Sequence, residues 1–151
     1  MCSWNGRRAA FCAGVLVLVA SVVAIGAARS RAFDAPARFM PLLATGKTVM
    51  DEPIVYPTSA PAKLTTGIVA MLPGAETGWH THGVPLTGLV LEGELTVDYG
   101  ARGKRTYKAG DSVAEAIGVP HNGRNSGTGI MKLFVVYIGA EGLPTSIPAK
   151  P

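Results

Sequence analysis

The sequence predicts a small all-β domain, and three observations carry that prediction. A chain of 151 residues has room for one domain, because a core of this kind is normally served by roughly 100 to 150 residues. Its 19 glycines and 11 prolines exceed average usage without a collagen-like period, which points to many tight turns. From Thr48 onward, short runs of Val, Ile, Leu and Tyr alternate with turn residues at intervals of roughly 8 to 12 residues, the spacing of sandwiches and barrels. No stretch after Ala28 keeps a sustained helical period.

The N-terminal segment reads differently from the rest. Ala9 to Ala28 carries no charge and directly follows Arg7 and Arg8, the pattern of an export signal. Small residues offer cleavage after Ala28 or after Ala32. A run of about 20 apolar residues is also long enough to stay as a membrane anchor helix. Residues 1–32 are therefore read as a signal peptide or membrane anchor, and the protein as exported, periplasmic or secreted, with anchoring through residues 9–28 as the alternative. Cys2 and Cys12 both lie here, and neither follows the apolar run as a lipid-bearing cysteine must. The domain beyond has no thiol, so any metal site in it is built from nitrogen and oxygen donors.

Residues 33–47 read as a linker that ends near a first strand, 48–142 as the β-barrel and 143–151 as a proline-rich tail over its surface. Strands are expected over 48–56, 63–72, 78–82, 86–92, 94–99, 104–108, 112–116 and 130–139. Pro73-Gly74, Glu92-Gly93, Tyr99 to Gly103, Ala109-Gly110-Asp111, Ile117 to Pro120 and Asn125 to Gly129 punctuate them as turns or loops. Met131 to Ile138 is almost wholly apolar and reads as a central strand. Trp79, Tyr99, Tyr107, Phe134 and Tyr137 read as barrel packing.

Charge narrows the function classes. Of the 14 Lys and Arg, Arg7, Arg8, Arg29 and Arg31 precede Phe33, which leaves ten bases against ten acids in the remainder. That remainder has no basic cluster interleaved with aromatics, so it carries no electrostatic footprint for nucleic acid. A small-molecule ligand or substrate is the expected partner.

The chemistry concentrates in the three histidines. His80 and His82 are separated by one residue, and the pleat of a strand sends such a pair to the same face. His121 follows about forty residues later, after the turn Gly118-Val119-Pro120. An ordered frame surrounds them: Gly74 before the pair, Gly93 in the hairpin Leu91-Glu92-Gly93-Glu94 after it, then Gly110, Gly118, His121 and Asn125. This frame resembles the two motifs of the cupin superfamily, most closely its small single-domain members, over roughly residues 60 to 140. The first motif's Gly, five residues, His-x-His and closing Gly fall on Gly74, His80, His82 and Gly93. The second motif's Gly, Gly-x-x-His and His-x-x-x-Asn fall on Gly110, Gly118, His121 and Asn125, with Ala116 where Pro is usual.

The resemblance implies a double-stranded β-helix, jelly-roll-like barrel, a homodimer in which residues 38–56 join the partner's sheet, and one divalent metal held by His80, His82 and His121. In the family a Glu ligand follows the second His with three or four residues between them; here those positions are Leu86 and Thr87, and neither replaces a carboxylate. Three neutral imidazoles leave the full divalent charge on the centre, which makes it more Lewis acidic. The resemblance implies iron or manganese, while imidazole also suits zinc, nickel and copper.

Other groups are ranked around that set. Glu76 shares the parity of His80 and His82 but stands four residues ahead, about 13 Å along a strand, so it reaches the centre only if the loop bends. Glu115, in the strand before His121, is the second candidate acid or base. Arg124, near His121, is a candidate for holding an anionic substrate. Glu94 and Asp111 are assigned to turns, Asp98 to solvent and Asn125 to side-chain bonding within a loop. The resemblance implies a mononuclear-metal oxygenase or dioxygenase acting on a small molecule; a non-catalytic binding or sensing module, or a cupin used mainly for dimerisation, are the alternatives.

Overall fold

The computed structural model describes residues 37–151; the expected signal or anchor over residues 1–32, with Cys2 and Cys12, lies outside the described residues. Among the described residues no helix is long and apolar enough to cross a membrane. Residues 41–151 form one compact unit, and its strands in chain order are β1 (Ala62–Met71), β2 (His80–Thr81), β3 (Leu86–Glu92), β4 (Glu94–Asp98), β5 (Lys104–Lys108), β6 (Ser112–Ala114), β7 (Asn122–Asn125), β8 (Met131–Ala140) and β9 (Ile147–Pro148). One turn of 3-10 helix, Gly100–Arg102, joins β4 to β5.

Three antiparallel sheets make the barrel, in the orders β1-β8-β3-β6, β5-β4-β7 and β2-β9. β8, the apolar run read as a central strand, does lie between two neighbours, pairing with β1 over its whole length from Ala62↔Ala140 to Met71↔Met131. On β4 the alternation is regular: Leu95 and Val97 are buried while Thr96 and Asp98 are half exposed, because successive side chains leave opposite faces of a strand. Val90, Leu95, Val97, Tyr99, Ala116 and Met131 pack together with Met50 and Met71 as the core, and each fully buried large side chain among them stabilises the fold by roughly 1.5 to 3 kcal/mol.

The hairpin between β3 and β4 shows why one turn glycine is obligatory. Gly93 has φ 77°, and a Cβ there would stand 2.8 Å from the Ile130 carbonyl oxygen and 2.9 Å from the Met131 Cα. The left-handed conformation and the close approach of β8 each select glycine.

Three elements differ from the sequence reading. No strand forms over 48–56; a single bridge joins Lys47 to Pro53, and Asp51 takes φ 62°. Thr48 organises this loop, its hydroxyl oxygen accepting from the amides of Met50 and Glu52, both at 3.2 Å. Local side-chain bonding of this kind competes with a sheet ladder. Conversely, Asn122–Asn125 and Ile147–Pro148, built from turn residues and proline, are strands. β7 is imposed by pairing with β4, from Leu95↔Asn125 to Asp98↔Asn122, and β9 by pairing with β2.

Candidate metal centre

The described polar residues that the barrel buries are Thr48, His82, Glu115, His121 and Asn125, and three of them, His82, Glu115 and His121, line one cavity. β2 places His80, and His82 follows on the same face. His121 is locked to His80 by a reciprocal backbone pair: His80 donates its amide to the His121 carbonyl at 3.0 Å, and His121 donates to the His80 carbonyl at 2.9 Å. The His82 amide donates to the Ile117 carbonyl at 2.9 Å. Two segments about forty residues apart in the chain are thus stitched together by main-chain bonds, independent of any side-chain chemistry.

The three imidazoles converge. Ring centroids are 5.0 Å apart for His80 and His82, 4.5 Å for His80 and His121, and 5.0 Å for His82 and His121. One ring nitrogen from each forms a group lying within 4.8 Å of one another. Each Nδ1 stands 2.8 Å from a backbone carbonyl, that of Gly78 for His80, Thr145 for His82 and Val119 for His121. A carbonyl oxygen only accepts, so Nδ1 carries the proton and Nε2 keeps its lone pair. The His121 Nε2 is fully buried with no hydrogen-bond partner. Buried polar atoms are almost always satisfied, and three inward lone pairs, one of them orphaned, fit a divalent cation. Burial lowers the His82 imidazole to about 4, against the opposing pull of the Thr145 carbonyl, and also lowers His80. Both rings are held neutral, the state that ligates.

Glu115 sits beside this set. Its Oε1 accepts from the Tyr99 hydroxyl at 2.7 Å and from the Ala116 amide at 2.8 Å. Burial, then the Glu115 charge, raise the Tyr99 phenol far above its ordinary range, so it stays a donor. The Tyr99 ring lies 5.8 Å from the His121 ring. Tyr99, expected only as packing, is therefore also what orients Glu115. The cavity that opens from the histidines is about 80 Å³ and is walled mainly by apolar side chains from both large sheets, among them Val69, Met71, Leu95, Met131, Val135 and Tyr137. Glu115 is the carboxylate that lines it.

The other sequence candidates fall elsewhere. Glu76 lies before β2 begins and faces away from the cavity, accepting from Asn122 Nδ2 at 2.9 Å and standing 3.7 Å from the Arg124 guanidinium. Arg124 is exposed on β7, where Gly123 and not Arg124 borders the cavity. Asn125 holds the following loop, donating to the carbonyls of Met71 and Gly129, both at 2.8 Å, and accepting from the Gly127 amide at 3.0 Å. Asp111 accepts from the Lys108 amide at 2.8 Å. Glu94 accepts from the Ser126 hydroxyl at 2.9 Å. Asp98, expected in solvent, is paired with Lys104 at 2.8 Å and accepts from the Gly100 amide at 2.9 Å.

Two supports were not legible in the sequence. Glu52 lies in the 47–53 loop and accepts from the amides of Ile117 and Gly118 at 2.8 and 2.7 Å, clamping the loop whose carbonyl holds His82. The Thr145 carbonyl carries no residue-type signal at all, because any residue supplies one. The Gly78 and Val119 carbonyls share a pattern, each two residues before its histidine, and that spacing was the available clue.

The family described as Cupin domain matches residues 67–137. That stretch is similar to the cupin family and takes in all three histidines. Among solved structures, a cupin domain from Bordetella pertussis aligns at 25% identity over 54% of this chain and 96% of its own, with a TM-score of 0.43. The cupin domain of an XRE-family transcriptional regulator from Enterobacter cloacae aligns at 27% identity over 50% of this chain and 80% of its own, with a TM-score of 0.42. Oxalate decarboxylase from Lactobacillus farciminis aligns at 19% identity over 56% of this chain, with a TM-score of 0.49, and the aligned stretch spans 26% of that enzyme. No curated protein shows significant similarity to the chain. Within the matched stretch the three histidines meet at one point, and Leu86, one of the two positions where the resemblance would put a carboxylate, packs into the cavity wall as an apolar side chain.

Proposed function

We propose that this cupin is a mononuclear-metal enzyme of the oxygenase or dioxygenase type acting on a small, mainly apolar molecule. One observation carries the reading: three imidazole lone pairs converge, with the His121 Nε2 buried and unpartnered, at the wall of an apolar cavity. A divalent ion bound there supplies Lewis acidity and, when redox-active, a route to dioxygen chemistry. The chain's own contribution is positional. The carbonyls of Gly78, Thr145 and Val119 hold the Nδ1 protons and so keep Nε2 free to ligate. The apolar lining excludes water from whatever binds. Glu115, oriented by Tyr99 and the Ala116 amide, is the group able to accept a proton from a bound molecule. The cavity, about 80 Å³ against the roughly 300 Å³ of drug-sized sites, suits a small molecule or the end of a larger one.

The test is elemental analysis of the purified chain beside its His80→Ala, His82→Ala variant, followed by oxygen uptake with a panel of small organic molecules. Close to one metal per chain, lost in the variant, with substrate-dependent oxygen consumption, is the expected result. No metal after reconstitution overturns the reading. A second reading, a non-catalytic binding module, draws on the fact that Glu115 Oε1 already accepts two hydrogen bonds; saturable heat of ligand binding without turnover would select it. Export through Ala9 to Ala28 and pairing into a homodimer belong to the same proposal. The exposed Leu64 and Ile68 of edge strand β1 support pairing, and cell fractionation and analytical ultracentrifugation test the two.

A further inference from the structure

The three ligand rings are not held alike. His80 and His121 are oriented by carbonyls two residues upstream, so their geometry belongs to their own turns. His82 is oriented by the Thr145 carbonyl, 63 residues later in the chain. That carbonyl is delivered by a segment with few other attachments. Leu143 donates its amide to Ala140 at 3.2 Å as the chain leaves β8. Pro144 then lies directly over Gly83, where a Cβ would stand 2.5 Å from the Pro144 carbonyl oxygen and 3.1 Å from its Cγ. Ile147 and Pro148 pair with Thr81 and His80, and Ala149 donates to the Trp79 carbonyl at 3.0 Å. The opposite edge of this stretch is taken by His121 and Ile117, so the ligand strand is held from both sides, and the histidine-bearing β2 has β9 as its second neighbour.

We propose that the segment Pro144–Ala149 is a clasp that positions His82, so that the metal affinity of the centre is set by whether the clasp is docked. The inference rests on the metal reading above. Physically, the Nδ1–H bond to Thr145 fixes both the tautomer and the plane of the His82 ring, and loss of such an outer partner typically weakens metal binding about 10- to 100-fold. The clasp is suited to opening: β9 is two residues long and both are exposed, and elements with few buried contacts open locally at low free-energy cost. Gly83 is what lets it close, because any side chain there collides with Pro144. Thr145 is a positioning residue; it touches the metal only through His82.

Cobalt(II) titration, read in the visible spectrum, tests this on four proteins: the full chain, the chain lacking residues 143–151, and each of these with His82→Ala. Removal of the clasp is expected to weaken cobalt binding roughly 10- to 100-fold, and to change nothing further when His82 is absent, since the clasp acts through that ring. Unchanged affinity, or an equal loss in the His82→Ala background, overturns the proposal. If the truncated chain does not fold, Ala149→Pro, which deletes the donor to Trp79, replaces it, with a smaller loss and the same dependence on His82 expected. If the full chain binds no cobalt, the metal reading fails and the clasp is judged separately by nitrogen-15 NMR of the His82 ring. A proton on Nδ1 in the full chain that becomes mobile on truncation supports the clasp, and an unchanged ring spectrum refutes it.

Discussion

The acid response of the metal-free domain follows from one buried ring. Burial lowers His82 to about 4, whereas in the unfolded chain an imidazole titrates near 6.5. Between those values the unfolded state binds a proton that the folded state refuses, so stability falls as pH falls through this window and is fully present above pH 6.5. At pH 5 the linkage amounts to about 2 kcal/mol relative to pH 8, a large share of the total for a domain of this size. His80 shifts in the same direction and adds to the slope. Asp98, held low chiefly by its hydrogen bond from Lys104, loses its contribution only in stronger acid and does not enter the window. Urea denaturation in the presence of a chelator, at steps from pH 8 to pH 5, measures the slope for the wild type and for His82→Gln. The variant is expected to lose about 2 kcal/mol of the pH dependence while keeping the part due to His80. Equal slopes in the two proteins, or a wild-type stability that is flat across this range, would refute the assignment of a neutral, buried His82.

Three further perturbations probe the frame around the centre. Gly93→Ala forces a side chain into the left-handed turn against the Ile130 carbonyl and Met131, and should cost 2 kcal/mol or more on an order-of-magnitude scale, read as a shift of the urea midpoint. Glu52→Ala strips the acceptor from the amides of Ile117 and Gly118 and should cost about 2 to 3 kcal/mol; Glu52→Gln, which keeps one acceptor oxygen, should fall between. Tyr99→Phe removes the donor to Glu115 Oε1 and should cost about 1 to 3 kcal/mol in thermal denaturation. No loss in that variant would show that the Ala116 amide alone suffices.

Much of this protein was written locally. Short runs of strand-forming residues between turn signals marked β3, β4 and β5 within a residue or so, because the turn residues end each pairing. The His-x-His spacing put two imidazoles on one face because the pleat sends residues i and i+2 to the same side. The turns at Gly74, Gly93, Gly103 and Gly110 were visible because each takes a positive φ that glycine adopts at least cost.

The sequence by itself determined the strand-rich barrel, the absence of thiols from the domain and the three nitrogen donors, since each follows from residue type and near-neighbour spacing. Only the tertiary structure decided the rest. Residues 48–56 carry Val49, Ile54, Val55 and Tyr56, residue types of a strand, yet Thr48 and Asp51 close a loop there, and that loop supplies Glu52 to the Ile117–Gly118 amides. Asn122 to Asn125 has the composition of a turn, yet pairing with β4 makes it a strand. Glu76 shares the parity of the histidines, but parity orients a side chain only within a strand, and β2 begins at His80. The last residues read as a surface tail, and Thr145 within them orients the His82 ring. Its contribution is a backbone carbonyl, which every residue possesses, so only the path of the folded chain could reveal it.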